Sequence, residues 1–169
     1  TALIQLNSGD MPAENLPVTQ AFIAEAAAAG ARFVLTPEVT NCVSSSRAHQ
    51  MDVLQTEAED QTLAALRAQA QALGIWLLIG SLALKTEDTD GRFANRSFLI
   101  GPDGRIVARY DKMHMFDVTV SQTESYHESK GYRPGEQAVV ADIDRARLGL
   151  SICYDIRFPY LYRALAQAG

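Results

Sequence analysis

Arg147-Leu148-Gly149-Leu150-Ser151-Ile152-Cys153-Tyr154-Asp155-Ile156-Arg157-Phe158-Pro159 is the stretch on which the fold turns: an apolar run, a cysteine, a polar turn and a proline. Leu148, Leu150 and Ile152 alternate as in a buried strand over Leu148 to Ile152. Pro159 suits a first helical turn, and Leu161, Leu165 and Ala168 continue at helical spacing. Cys153 thus stands at a strand end just before a helix. A strand there holds a nucleophile rigidly, the turn exposes it, and nearby backbone N–H groups can bind developing negative charge. Taken alone, the run describes a core thiol sooner than a reactive one, because free cysteine is among the most buried residue types.

Strands and helices alternate upstream. Leu3 to Asn7 reads as a strand, Asn15 to Ala29 as an alanine-rich helix stopped by Gly30, and Arg32 to Thr36 as a second strand that ends at Pro37-Glu38. Residues 41 to 54 read as a serine-rich loop. Leu63, Leu66, Ala70 and Leu73 give an amphipathic helix over Glu57 to Leu73, closed by Gly74. Ile75 to Leu82 is continuously apolar, the mark of a strand covered on both faces. After a charged loop, Lys85 to Arg92, strands Asn95 to Ile100 and Arg105 to Tyr110 flank the turn Gly101-Pro102-Asp103-Gly104 as a hairpin. Asp111 to Gly135 is a long connection of the kind that is usually functional or disordered. Ala138 to Ile143 reads as the strand preceding the opening run. The order predicts an α/β protein whose sheet is covered by helices.

The 169 residues can bury a real core and fit a single domain, residues 1–169. Thr1 to Leu6 is already strand-like without an initiating methionine, and the last helix stops at Gly169, so the stretch reads as the N-terminal portion of a longer domain. With 47% hydrophobic and 21% charged residues and a net charge of −5, the chain is an ordinary globular one, and nucleic acid or an anionic membrane is disfavoured as its main partner. No apolar run is long enough for a bilayer. Cys42 and Cys153 show no metal-ligand or redox spacing, so neither a disulfide framework nor a zinc site is expected, and a reducing, cytoplasmic setting is the default.

Three groups stand at strand ends or in the adjoining loop: Glu38, Lys112 and Cys153. Their types fit one reaction. A thiol attacking an amide or nitrile carbon needs a base for its proton, a donor for the oxyanion and a proton for the departing nitrogen. Glu38 can serve as base and acid. Lys112 can hold the oxyanion, and its charge would favour the thiolate. Read singly, Glu38 fits a capping or surface carboxylate and Lys112 a solvated strand residue. Spacing makes the three compatible and no more.

Thr36-Pro37-Glu38, Tyr110-Asp111-Lys112-Met113-His114-Met115-Phe116-Asp117 and Ser151 to Pro159 resemble, in that order, the three signature segments of the nitrilase superfamily. The resemblance also takes in Gly80-Ser81, Asn95-Arg96-Ser97-Phe98 and Tyr126-His127-Glu128-Ser129, and so spans essentially the whole chain. It implies a four-layer α-β-β-α sandwich, here incomplete at the C-terminus, and a cysteine-dependent carbon-nitrogen hydrolase that needs no cofactor. The family's base, lysine and nucleophile map onto Glu38, Lys112 and Cys153. Its second glutamate maps best onto Glu128, with Glu124 as competitor, and the N–H of Tyr154 partners Lys112 at the oxyanion. The branch most resembled holds the ω-amidase and the deaminated glutathione amidase, which implies a small carboxylate-bearing amide as substrate. Arg157 is the candidate for that carboxylate, or else anchors its own turn. Tyr160 and Tyr162 depart from the usual pattern after Phe-Pro. The resemblance further implies a homodimer or higher homo-oligomer, with Phe158 to Ala168 at the contact.

Three other readings compete. Cys153 with His49, His114 or His127 would make a cysteine-histidine dyad, which leaves Glu38 and Lys112 unused. A catalytically silent scaffold would need none of the three groups. A nucleotide-binding protein lacks its glycine-rich loop. Cys42, in a serine-rich loop without the strand-to-helix setting, reads as a bystander.

Overall fold

The computed structural model describes residues 1–144 and 146–169. Its main sheet has five strands: β1 (Ala2–Leu3), β2 (Phe33–Leu35), β3 (Trp76–Leu84), β4 (Ala94–Ile100) and β5 (Ile106–Asp111). The first three pair in parallel and the last three antiparallel. Parallel neighbours need crossovers, and the long helices supply them. Helix α1 (Pro12–Ala28) joins β1 to β2. Helices α2 (Arg47–Val53) and α3 (Gln61–Leu73) lie between β2 and β3. Ile23 of α1 and Leu63, Leu66 and Ala70 of α3 pack with Val34, Leu77, Ile79, Phe98 and Ile100 as the largest apolar cluster.

Across the sheet lies the hairpin of β8 (Val140–Ile143) and β9 (Ala146–Gly149). Leu148, Leu150 and Ile152 meet Tyr110, Leu78 and Ala108 there. Gly149, pointing the other way by strand alternation, faces Leu165 of α4 (Pro159–Gln167), where a β-carbon would come within 3.0 to 3.3 Å of that leucine. Helix, sheet, hairpin and helix therefore stack in the order α-β-β-α.

Several boundaries differ from the sequence reading. β1 stops at Leu3 instead of reaching Asn7, since β2 offers it only Phe33–Leu35. Helix α1 begins at Pro12, not Asn15, because a proline at N1 has no N–H to leave unpaired. Helix α3 begins at Gln61, not Glu57: Asp60 caps it by accepting from Leu63 N at 2.7 Å. At its other end Gly74 takes φ +62°, which a side chain would resist. The supposed loop 41–54 holds α2, capped by Ser46. The connection 111–135 contains a hairpin, β6 (Asp117–Thr119) with β7 (Ser125–His127), and a 3-10 turn at Glu128–Lys130. The strand expected over Leu148 to Ile152 ends at Gly149. Leu150 and Ile152 are still buried, but Ile152 N turns to the Asp155 side chain instead of a neighbouring strand. Among the described residues no helix is long and apolar enough to cross a membrane.

Candidate active site

Glu38 sits on a turn laced to β3 by small polar groups. Val39 N donates to Ser81 Oγ at 2.7 Å, Thr40 N to Ser81 O at 2.9 Å, and Gly80 N to Thr36 Oγ1 at 3.1 Å. Asn41 imitates a strand, exchanging two 2.9 Å hydrogen bonds with the backbone of Ala83. The turn holds Val39 at φ +45°, and the β3–β4 register shifts between Ile79 and Leu82 where the turn docks. Hydroxyls and amides that bond backbone locally are suited to such a turn.

Lys112, next after β5, is 2% exposed. Its backbone is pinned on both sides, N–H to Asn95 O at 3.0 Å and carbonyl from Gly135 N at 2.7 Å. Its Nζ lies 2.9 Å from Glu38 Oε1 and 2.9 Å from each carboxylate oxygen of Glu128. Glu128 Oε2 also accepts from Phe116 N at 2.6 Å. Burial alone would lower the pKa of a lysine, but the charge of Glu38 and the hydrogen bonds that the ammonium donates to both carboxylates outweigh it and hold the ammonium above its ordinary range. Glu124, the competitor, is exposed and accepts from Tyr126.

Cys153 opens a 3-10 turn, Cys153–Arg157, at φ +50°. A non-glycine residue there costs on the order of 1 kcal/mol or more and persists only where its surroundings insist on it. The insistence comes from Asp155, which is fully buried. It accepts from Ile152 N at 2.9 Å, Tyr110 OH at 2.6 Å and His114 N at 3.0 Å, and meets His114 Nδ1 at 2.7 Å. Burial, then Asp155, pushes the Tyr110 hydroxyl far above the usual phenol range, so it stays a donor. Edge-to-face contacts of Tyr154 with Phe116 and Phe158, and the stacking of His114 on Phe158, brace the turn.

Glu38 and Cys153 line one cavity of about 350 Å³ together with Thr36, Gly80, Ser97 and Ile152. The residue Cys153 is exposed overall, yet partial withdrawal of its thiol from water pushes it up from the ordinary 9.0. The negative Glu38 adds to the rise, and Lys112 pulls against it. Lys112 thus favours the thiolate, as its charge leads one to expect, but burial and Glu38 together outweigh it and the net shift of the thiol is upward.

The structure thus joins Glu38 and Glu128 through Lys112 and sets Cys153 in one cavity with Glu38. Tyr154 is the second residue of its turn, where an N–H has no carbonyl of the same turn to bond. Arg157 is exposed, and its side chain has no hydrogen bond or ion pair among the described residues. His114 is committed to Asp155, His49 to Asp10, and His127 is exposed on β7; none of them lines the Cys153 cavity. Cys42 is fully buried with Leu54, Ala83 and Phe93. Among the described residues no group of His, Cys, Asp or Glu is arranged to hold a metal ion. Sequence reasoning passed over Asp155 and Asn95. Asn95 is 2% exposed and donates from Nδ2 to Glu38 Oε1 at 2.7 Å. The available signal was a polar side chain at an inward position of a buried strand.

The carbon-nitrogen hydrolase family profile matches residues 1–169. The deaminated glutathione amidase of Yersinia enterocolitica is 34% identical over 169 residues, covering 99% of this chain and 58% of that protein. The omega-amidase of Homo sapiens is 34% identical over 168 residues, with 99% and 59% covered. The chain therefore spans under two thirds of the length of these relatives. Among solved structures, the NitFhit protein of C. elegans superposes at TM-score 0.89 with 28% identity, covering 99% of this chain and 40% of that one. A glutamate-to-glutamine mutant of the amidase from Nesterenkonia sp. AN1, bearing the product of Michael addition of acrylamide at its active-site cysteine, superposes at 0.80 with 26% identity over 99% and 62%.

Proposed function

The chain belongs to the carbon-nitrogen hydrolase family, and from that premise we propose that it carries the catalytic groups of a thiol amidase acting on a small, carboxylate-bearing linear amide. One observation carries the reading: a lysine at 2% exposure, held by two carboxylates, close to a cysteine on a strained turn. A charge so deeply buried is costly unless its position is used or fully compensated.

In this reading Cys153 Sγ attacks the amide carbon while Glu38 takes the thiol proton. As the Sγ–C bond forms, the carbonyl π pair moves to oxygen, where Lys112 Nζ and the N–H of Tyr154 receive it. Lys112 can turn one N–H toward that oxyanion because Glu128 Oε2, which it would release, still accepts from Phe116 N. Glu128 keeps the ammonium charged and aimed. The C–N bond then breaks, Glu38 returns its proton to the nitrogen, and ammonia leaves a thioester on Cys153. Water, deprotonated by Glu38, attacks the thioester carbon, and the thiol takes the proton back as the acid departs.

Both amidase relatives support an amide bearing a carboxylate, and Arg157, exposed in the nucleophile turn, is the side chain proposed to meet it. Self-association is proposed through Phe158 to Ala168, where Tyr160 is 78% exposed, beside Ile156 at 70%.

The test is ammonia release by the intact protein from carboxylated amides, simple amides and nitriles, with Cys153→Ala in parallel. Release from carboxylated amides that is abolished in the variant is expected. Folded protein that releases no ammonia from any of them, with Cys153 inert to iodoacetamide, overturns the reading.

A further inference from the structure

Two donors converge on one oxygen of Glu38. Lys112 Nζ at 2.9 Å and Asn95 Nδ2 at 2.7 Å both bond Oε1, and both leave Oε2 aside. A carboxylate oxygen that already accepts two bonds, one from a cation, is the poorer base; its partner keeps its lone pairs and the proton affinity. The orientation of the Asn95 amide follows from the same chemistry, since its carbonyl end would repel the carboxylate. That leaves Asn95 Oδ1 buried with no partner. An orphaned buried carbonyl is a liability, and asparagine contributes nothing here that an apolar residue would not, unless its Nδ2 is needed.

We propose that Asn95 is a positioning residue of the base: its Nδ2, together with Lys112, occupies Glu38 Oε1 and leaves Oε2 as the oxygen that takes the Cys153 proton. The backbone adds a reason for this place. Asn95 O accepts from Lys112 N, so the residue that aims the base also anchors the strand end bearing the oxyanion donor. Moving either residue would change the angle at which the carboxylate meets the thiol. The inference rests on the reading of Glu38 as base and Cys153 as nucleophile.

The test compares Asn95→Leu and Asn95→Asp with wild type and with Glu38→Gln and Cys153→Ala, using kcat/KM against pH for a carboxylated amide and thermal unfolding. Leucine removes the donor and the orphaned carbonyl together. It is expected to leave Tm unchanged or raised, lower kcat/KM at neutral pH about tenfold, and move the acid limb about one pH unit upward, because a carboxylate without its donor is more easily protonated. Aspartate, nearly isosteric, puts a like charge beside Glu38 and should move the limb further in the same direction; it carries the test if the leucine variant does not fold. An acid limb unmoved in the folded variants, or a loss of activity that only tracks a loss of Tm, overturns the role of Asn95. If the glutamine and alanine controls are inactive while both Asn95 variants behave as wild type, only this inference falls. If the controls remain active, the base and nucleophile assignments fall with it.

Discussion

Lys112 favours the anionic form of every acid around it. It neutralises carboxylates that would otherwise repel each other, and it pulls the Cys153 thiol down against burial and Glu38. Lys112→Met removes both effects while filling similar volume. The thiol should then rise further, so the alkylation rate of Cys153 by iodoacetamide at neutral pH should fall about tenfold and its pH profile move upward. Stability should drop by about 3 kcal/mol, because Glu38 and Glu128 are left facing each other without a cation. Denaturant midpoints and alkylation rates on the same samples check both; an unchanged alkylation profile would remove Lys112 from the thiol's environment. Glu38, Lys112 and Cys153 could be named as candidates from the sequence because they stand in the three segments that resemble the family's signatures. The direction of the thiol shift was not legible there, since it depends on which of two opposed charges lies nearer and on how much water the thiol keeps.

At the scale of elements, the site is a meeting of strand ends, and its tolerance is set by backbone approach. Gly80 lies where β3 meets the Glu38 turn, and its carbonyl accepts from the Ser97 hydroxyl. A β-carbon on residue 80 would fall inside contact distance of the Thr36 and Pro37 carbonyls, which are backbone and cannot swing aside. Gly80→Ala should therefore push the turn off β3 and cost about 1–3 kcal/mol. Activity should fall by more than stability explains, because Glu38 is displaced first; equal activity at equal fold content would sink the claim. Long elements were the readable ones. α3, its αL glycine and the hairpin turn at Gly101–Gly104 announce themselves by period and turn chemistry. Two- and three-residue pieces such as β1, β6 and β7 do not, because so few residues carry no period and are held by their partners.

Over the whole molecule, the shifted thiol, phenols and lysine agree in sign on the alkaline side. Cys153 stands above 9.0, Tyr110 and Tyr132 above 10.0, with Tyr132 pushed up to about 12 mainly by burial, and Lys112 above 10.5. In each case the unfolded chain releases its proton first. Stability is then fully present below about pH 9 and is lost as pH rises through these values. Tm should be level from pH 7 to 9 and fall steeply from 9 to 11. A Tm that stays level to pH 11 would show that these groups are solvated in the folded protein.

The sequence by itself determined the family resemblance and the α/β class, and through the resemblance it named Glu38, Lys112 and Cys153 as candidates, because alternating strands and helices, turn residues and signature segments are local properties. Only the tertiary structure decided that Glu128 and not Glu124 receives Lys112, that Asp155 latches the Cys153 turn, and that Asn95 shares an oxygen of Glu38 with Lys112. Each of these joins residues between 16 and 74 positions apart, or bends a strand into a turn through a buried carboxylate. Distance along the chain carries no information about such contacts. They exist because hydrophobic burial of β3, β4 and β9 brings the strand ends together and leaves polar side chains there to bond one another.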